Sequence, residues 1–270
     1  MKQEALALAR GARDPSRASS LLREYLQVFV LRSLSEREAF RNLSFVGGTA
    51  LRFLFSLPRF SEDMDFSLEQ PSGYDLKAWM EKLGRDLDLA GFSARVTPQL
   101  AGAVHVAWVR VADLLQEAGI AAQRDQNLSV KIEIDTRPPA GAVCKRLLVS
   151  RHVSFALQHH DLPSLMAGKI HALATRSWPK GRDWYDLVWY RSQRPPVSPN
   201  LVLLQNALDQ TEKAGTWDAA SWPRHVAKRL QSLDVGAISR DVRPFLDRPE
   251  DAALLTRENI LSVLEPLASP

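Results

Sequence analysis

A single cysteine, Cys144, among 270 residues excludes an internal disulfide and any cysteine-rich zinc site. No histidine or aspartate is arranged to activate that thiol, which reads as structural. The six histidines do not supply a zinc site either: His159, His160 and His171 lack spaced His or Cys partners. No apolar run approaches the ~20 residues that cross a bilayer. Met1 to Arg13 has no apolar stretch ahead of a small-residue cleavage site, so a cytoplasmic protein without membrane contact is expected. Internal repeats and low-complexity segments are absent too. Neither sign of charge dominates: 35 Lys and Arg face 31 Asp and Glu, and the net +4 suits an acidic partner without demanding one.

What is present is an ordinary globular composition, 45% hydrophobic and 24% charged, long enough for one large domain or two small ones. Helical spacing runs through Glu4 to Arg10 and Arg17 to Leu34, with Leu21, Leu22, Tyr25, Leu26, Phe29, Val30 and Leu34 in one stripe. A strand at Leu43 to Val46, a short helix over Thr49 to Phe55 and a strand around Asp63 follow. A helix over Asp75 to Leu89 then ends at Gly91. Residues 92–98, 104–111, 128–135 and 145–149 have the length and alternation of strands, which predicts a mixed sheet. Beyond Ser150 the pattern predicts helices only, near 162–177, 182–192, 199–214, 221–231, 236–247 and 250–266. The expected class is α+β: a core domain over 1–155 with N-terminal helices and a helical domain over 156–270.

Two short motifs carry the chemistry. The run Phe45-Val46-Gly47-Gly48-Thr49-Ala50-Leu51-Arg52 reads as a strand leaving the core into a glycine turn at a helix start. Backbone N–H groups and the helix dipole both favour a phosphate there. In Arg59-Phe60-Ser61-Glu62-Asp63-Met64-Asp65-Phe66, strand spacing puts Asp63 and Asp65 on one side, their Cα atoms ~6.6 Å apart, with Met64 and Phe66 on the other. Two carboxylates facing a glycine turn suit Mg²⁺, which takes oxygen ligands from carboxylates and substrate phosphates. The strand Val130-Lys131-Ile132-Glu133-Ile134-Asp135 offers Glu133 or Asp135 as a third carboxylate, although charges facing outward mark any half-exposed strand.

Further along, Asp161 can cap a helix that Pro163 helps to start. Lys169 stacks with Leu165 and Leu173 on its apolar stripe. An ammonium on that side needs a carboxylate or a ligand phosphate, unless its stem carries it to the surface. Asp183 and Asp186 share one side of the next helix, and Asp183 can also cap it. Lys145, Arg146, Arg151, Lys169, Arg176, Lys180, Arg182, Arg191 and Arg194, interleaved with Trp178, Trp184 and Trp189, fit either a nucleic-acid track or ordinary cover for apolar surface.

Together, Gly47-Gly48-Thr49-Ala50-Leu51-Arg52 and Arg59-x-Ser61-x-Asp63-x-Asp65 resemble the nucleotidyltransferase toxins of the AbiEii/AbiGii type, relatives of the MenT toxins in the DNA polymerase β-like superfamily. Met166-Ala167-Gly168-Lys169-Ile170-His171-Ala172-Leu173 and Lys180-Gly181-Arg182-Asp183-Trp184-Tyr185-Asp186-Leu187 are similar to that family's later motifs, so the resemblance covers roughly residues 40 to 190. It implies a polymerase β-like nucleotidyltransferase core followed by a helical C-terminal domain. It further implies a toxin that transfers a nucleoside monophosphate from an NTP to an RNA, with a tRNA 3′ end as acceptor, a cognate antitoxin as partner and Mg²⁺ or Mn²⁺ as cofactor. By the same resemblance Asp63, Asp65 and Asp135 (or Glu133) would hold metal. Gly47, Gly48, Thr49, Arg59, Ser61 and Lys169 would bind the nucleotide, and Asp183, ahead of Asp186, would join the site. Transfer to a protein or small molecule, or a non-catalytic nucleotide-binding module, are the other classes. A broad basic surface beside the carboxylates favours RNA, and a closed pocket favours a small molecule.

Overall fold

The structure, a computed structural model, describes every residue except 123–125, 213–214, 216 and 265–270. In chain order its elements are α1 Lys2–Arg10, α2 Pro15–Glu36, β1 Leu43–Val46, α3 Gly47–Leu54, β2 Met64–Leu68, α4 Leu76–Leu89, β3 Ala94–Gln99, β4 Val104–Val111, α5 Leu114–Glu117, β5 Leu128–Asp135, β6 Cys144–Arg151 and β7 Val153–His160. Helices α6 Leu162–Thr175, α7 Gly181–Arg191, α8 Leu201–Thr211, α9 Trp222–Gln231, α10 Val235–Val242 and α11 Arg257–Leu264 follow.

The chain forms two compact units. The first comprises Met1–Phe55, Phe60–Pro138 and Lys145–His159, and the second Ser56–Arg59, Pro139–Cys144 and His160–Pro270. Residue 155, where the division was expected, lies inside β7, and two short segments ahead of it, Ser56–Arg59 and Pro139–Cys144, belong to the second unit.

The first unit is built on a seven-stranded sheet of order β3-β4-β5-β2-β1-β7-β6. It is mixed: β2 is parallel to β5 and β1 to β7, while β1–β2, β3–β4 and β4–β5 are antiparallel. Alternation in β5 decides which face is covered. Leu128, Val130, Ile132 and Ile134 are buried and meet Ala107, Val109 and Val111 of β4 and Met64 and Phe66 of β2. On the opposite face Ser129, Lys131, Glu133 and Asp135 are half-buried. Helix α2 packs on β5, α3 on β1 and β2, and α4 on β3. Asp14 caps α2 by accepting from the Arg17 N–H at 2.9 Å, with Pro15 in the first turn, and Asp75 caps α4 by accepting from Ala78 at 3.0 Å.

One expectation fails here. Residues after Ser150 do not turn helical at once: β6 runs to Arg151 and β7 adds another strand, joined through His152 at φ +59°. Val153, Phe155, Leu157 and His159 alternate with Ser154, Ala156 and Gln158. Two terminal histidines and a small polar partner set give that alternation little hydrophobic contrast.

In the second unit α6 packs on α7, α8 and α9, and α7 on α10 and α11. Asp161 caps α6 through the Ser164 N–H at 2.9 Å, and Asn200 caps α8 through Leu203 at 3.1 Å. Gly181 is required at the start of α7, since a Cβ there would lie 2.2 Å from the Ile238 carbonyl oxygen. The helix expected over 236–247 stops at Val242, where Pro244 follows in a 3-10 turn. The helix expected over 250–266 divides into a 3-10 segment, Pro249–Leu254, and α11, because Thr256 accepts from the Asn259 N–H at 3.1 Å and starts a new helix. The expected ends at 214 and 266 lie outside the described residues.

Candidate active site

Gly47 and Gly48 are not a separate turn: α3 begins at Gly47 directly from β1. Gly47 has φ +76°, a conformation that L side chains rarely adopt. The register pairs Val46 with Asp65, and a Cβ on Gly47 would lie 2.0 Å from Asp65 Oδ2. The carboxylate of Asp65 therefore rests against the bare Cα of Gly47, a contact no other residue type permits.

Asp63 immediately precedes β2 and is held from two sides. The Thr49 hydroxyl donates to the Asp63 carbonyl. The Gln27 side-chain amide donates to the carbonyls of Ser61 at 3.0 Å and Glu62 at 2.9 Å. Thr49 is fully buried, whereas Ser61, Asp63 and Asp65 are half-buried.

The parallel pairing of β2 with β5 places the two candidate third acids differently. Asp65 stands opposite Glu133, and Asp135 stands opposite Ser67, one two-residue step further along. Asp135 instead accepts from the Arg137 N–H at 2.9 Å, closing the turn after β5. Glu133 accepts from Lys131 at 2.7 Å. The Lys131 ammonium is held above its ordinary pKa by that bond, against the opposing pull of burial, with the charges of Glu133, Asp63 and Asp65 adding to it. One lysine thus feels three carboxylates. Asp63, Asp65 and Glu133 are all oxygen donors, the ligand type that a hard divalent cation such as Mg²⁺ or Mn²⁺ takes.

The other predicted site residues lie in the second unit, where they form an alternating chain of charges. Arg59 donates to Asp186 through Nε to Oδ1 and Nη2 to Oδ2, both at 2.6 Å. Lys169 Nζ is 2.9 Å from both Asp186 Oδ2 and Asp183 Oδ1, and Arg176 Nη1 pairs with Asp183 Oδ2. The Arg59 and Asp186 side chains are 1% and 0% exposed, so this fork is removed from water. Burial pulls the Lys169 ammonium down, but Asp183 and Asp186 outweigh it and leave its pKa raised. Burial likewise pushes the Asp183 carboxyl up, while Lys169 and Arg176 bring it below the usual range. Beside them Tyr190 is wholly buried, and its hydroxyl has no hydrogen-bond partner among the described residues.

These positions bear on three expectations. Of the two kinds of anion expected for Lys169, a carboxylate or a phosphate, it meets carboxylates, those of Asp183 and Asp186. Arg59, expected at the nucleotide, is committed to Asp186. Asp183 does not cap α7, since Asp241 takes that role by accepting from the Gly181 N–H at 2.7 Å. Of the tryptophans offered by the sequence as stacking surfaces, Trp184 is 1% exposed and belongs to the core. Lys131 escaped the sequence reading, although its place two residues before Glu133 on an alternating strand was the available signal.

The geometry has counterparts. A family model described as nucleotidyl transferase AbiEii toxin, type IV TA system, matches residues 29–259. No protein of curated function matches the chain. Among solved structures, the crystal structure of a "putative nucleotidyltransferase" from H. pylori is 18% identical, with a TM-score of 0.57 over 91% of this chain and 94% of that one. JHP933 from Helicobacter pylori is 17% identical, with a TM-score of 0.54 over 91% of each chain. At such identity the likeness speaks for the fold. The family match spans most of the sequence and takes in both the Gly47 helix start and the Asp63–Asp65 pair: the chain belongs to the AbiEii nucleotidyl transferase toxin family of type IV toxin–antitoxin systems.

Proposed function

We propose that this nucleotidyltransferase moves a nucleoside monophosphate from an NTP to an RNA acceptor, a tRNA 3′ end, with Mg²⁺ bound by Asp63, Asp65 and Glu133. The observation that carries the reading is the close approach of Asp65 to Gly47 with Glu133 in register beside it. Bound there, a divalent cation supplies neutralisation of triphosphate charge and a lowered pKa for the attacking hydroxyl. The acceptor hydroxyl oxygen forms a bond to the α-phosphorus, the bond from that phosphorus to its bridging oxygen breaks, and pyrophosphate leaves. Glu133 accepts the hydroxyl proton. Backbone amides of Gly47, Gly48 and Thr49 at the start of α3, with the Ser61 hydroxyl, bind phosphate oxygens.

In this reading Arg59, Lys169, Asp183 and Asp186 act on structure, since their charges are committed to one another. As a member of a toxin–antitoxin family the protein has a cognate antitoxin as partner. Incubation with total RNA, each labelled NTP and Mg²⁺, beside Asp63→Ala, tests the reading. Label on RNA from the wild type alone supports it; no label on RNA, or equal label from the variant, refutes it.

A further inference from the structure

The sheet face that carries Asp65 and Glu133 continues outward over β4 and β3, and its chemistry changes along the way. Register sets the rows: Glu133 meets Val106, Lys131 meets Trp108 and Ser129 meets Arg110 across β5 and β4. Across β4 and β3, Trp108 meets Thr97 and Arg110 meets Arg95. The alternate residues Ala107, Val109 and Val111 are fully buried, so Trp108 and Arg110 belong to the uncovered face. Both are half-buried, and Arg95 is exposed.

The Arg110 guanidinium lies 5.0 Å from the Trp108 ring centroid and the Lys131 ammonium 5.7 Å from it. Beyond them is an open depression of about 780 Å³, whose lining includes Arg95, Thr97, Arg110, Ser93 and Asn127, with Asp88 the one acid among its described lining residues. With strands ~4.8 Å apart and ~6.6 Å per two-residue step, Trp108 is roughly 12 Å from Asp65, Arg110 roughly 16 Å and Arg95 roughly 20 Å. A stacking surface edged by cations, followed by a pair of arginines, is the combination that holds single-stranded nucleic acid: bases stack on the ring and phosphates pair with the cations.

From this we infer that the Lys131–Trp108–Arg110–Arg95 track binds the single-stranded end of the acceptor RNA and leads it to the carboxylates, an inference that rests on the RNA-transfer reading above. Duplex RNA is excluded from the track, because stacking on Trp108 requires an unpaired base.

The test uses the full chain and a fluorescein-labelled single-stranded RNA of ~12 nucleotides, within the usual site size. Trp108→Ala is expected to weaken binding roughly 5-fold or more, and Trp108→Phe to recover most of the loss. Arg95→Ala/Arg110→Ala is expected to weaken binding at least tenfold and to flatten the plot of log Kd against log salt by about 1.4 in slope, the value for two lost phosphate contacts. In the transfer assay the same double variant raises KM for RNA and leaves KM for NTP unchanged. The variants must melt cooperatively, as the wild type does. If the wild type labels RNA while these variants bind and label it as the wild type does, the track is refuted and the transfer reading stands. If the wild type labels no RNA, the transfer reading fails, whatever the binding data. Equal affinity for the annealed duplex also overturns the track.

Discussion

Glu133 and Asp65 face each other across a parallel strand pair, while Asp135, on the same strand, faces Ser67. This relationship separates two acids that the sequence leaves equivalent. Glu133→Gln is expected to reduce nucleotidyl transfer by at least ~10²-fold, the scale of losing a positioned base, whereas Asp135→Asn should transfer at about the wild-type rate. Parallel rate measurements at saturating NTP decide the matter; a silent Glu133→Gln would remove this residue from the site.

The contact between Gly47 and Asp65 gives a second expectation. Gly47→Ala places a Cβ 2.0 Å from Asp65 Oδ2 at a φ of +76°. Strain of ~1–2 kcal/mol from the backbone and ~1–3 kcal/mol from crowding should lower stability. The displaced carboxylate should lower transfer further than the loss of stability explains. Denaturant melts and rates measured well below the melting midpoint separate the two effects.

The Arg59–Asp186 pair should behave as a buried structural fork. Removing one partner by Arg59→Met or Asp186→Leu is expected to cost ~3–5 kcal/mol, because the other charge stays buried without compensation. The double substitution should recover much of the loss, which a cycle of urea melts would reveal. Additive losses would show that the pair does not act as a unit.

The same chain of charges sets opposite pH limits. Asp183 is depressed in the folded protein, so its contribution is present above the unfolded value of ~3.9 and is lost as pH falls through the lower folded value. Lys169 is raised, so its contribution is complete below ~10.4 and is lost as pH climbs through the higher folded value. Asp183→Asn should lower stability at neutral pH and flatten the acid limb of the stability curve. An unchanged acid limb would count against the coupling.

Much of the first unit was legible because its elements are local. Leu43 to Val46, the helix ending before Gly91 and the alternation of Val130, Ile132 and Ile134 needed only nearest neighbours along the chain. The Asp63–Asp65 pair was legible for the same reason. Which of Glu133 and Asp135 stands opposite Asp65 was not, since register between β2 and β5 joins segments about 70 residues apart, and no local pattern encodes it. Lys169 was correctly expected to need an anion, but which anion depended on how α7 turns Asp183 and Asp186. The Lys131 ammonium beside the Trp108 ring likewise comes from a paired strand, and only Arg110, on the same strand as Trp108, was near it in sequence.

The tetrapeptide Ser56–Arg59 belongs to the second unit although the chain before and after it belongs to the first. Its backbone bridges to Leu246, and the Asp247 N–H donates to the Pro58 carbonyl at 3.0 Å. No single cut can therefore liberate either unit intact. A fragment starting at Pro139 would carry Asp186 without its guanidinium, and one ending at Pro138 would carry Arg59 without its carboxylate. During synthesis Arg59 emerges long before Asp186, so the second unit closes around its fork only after nearly 130 further residues have been made.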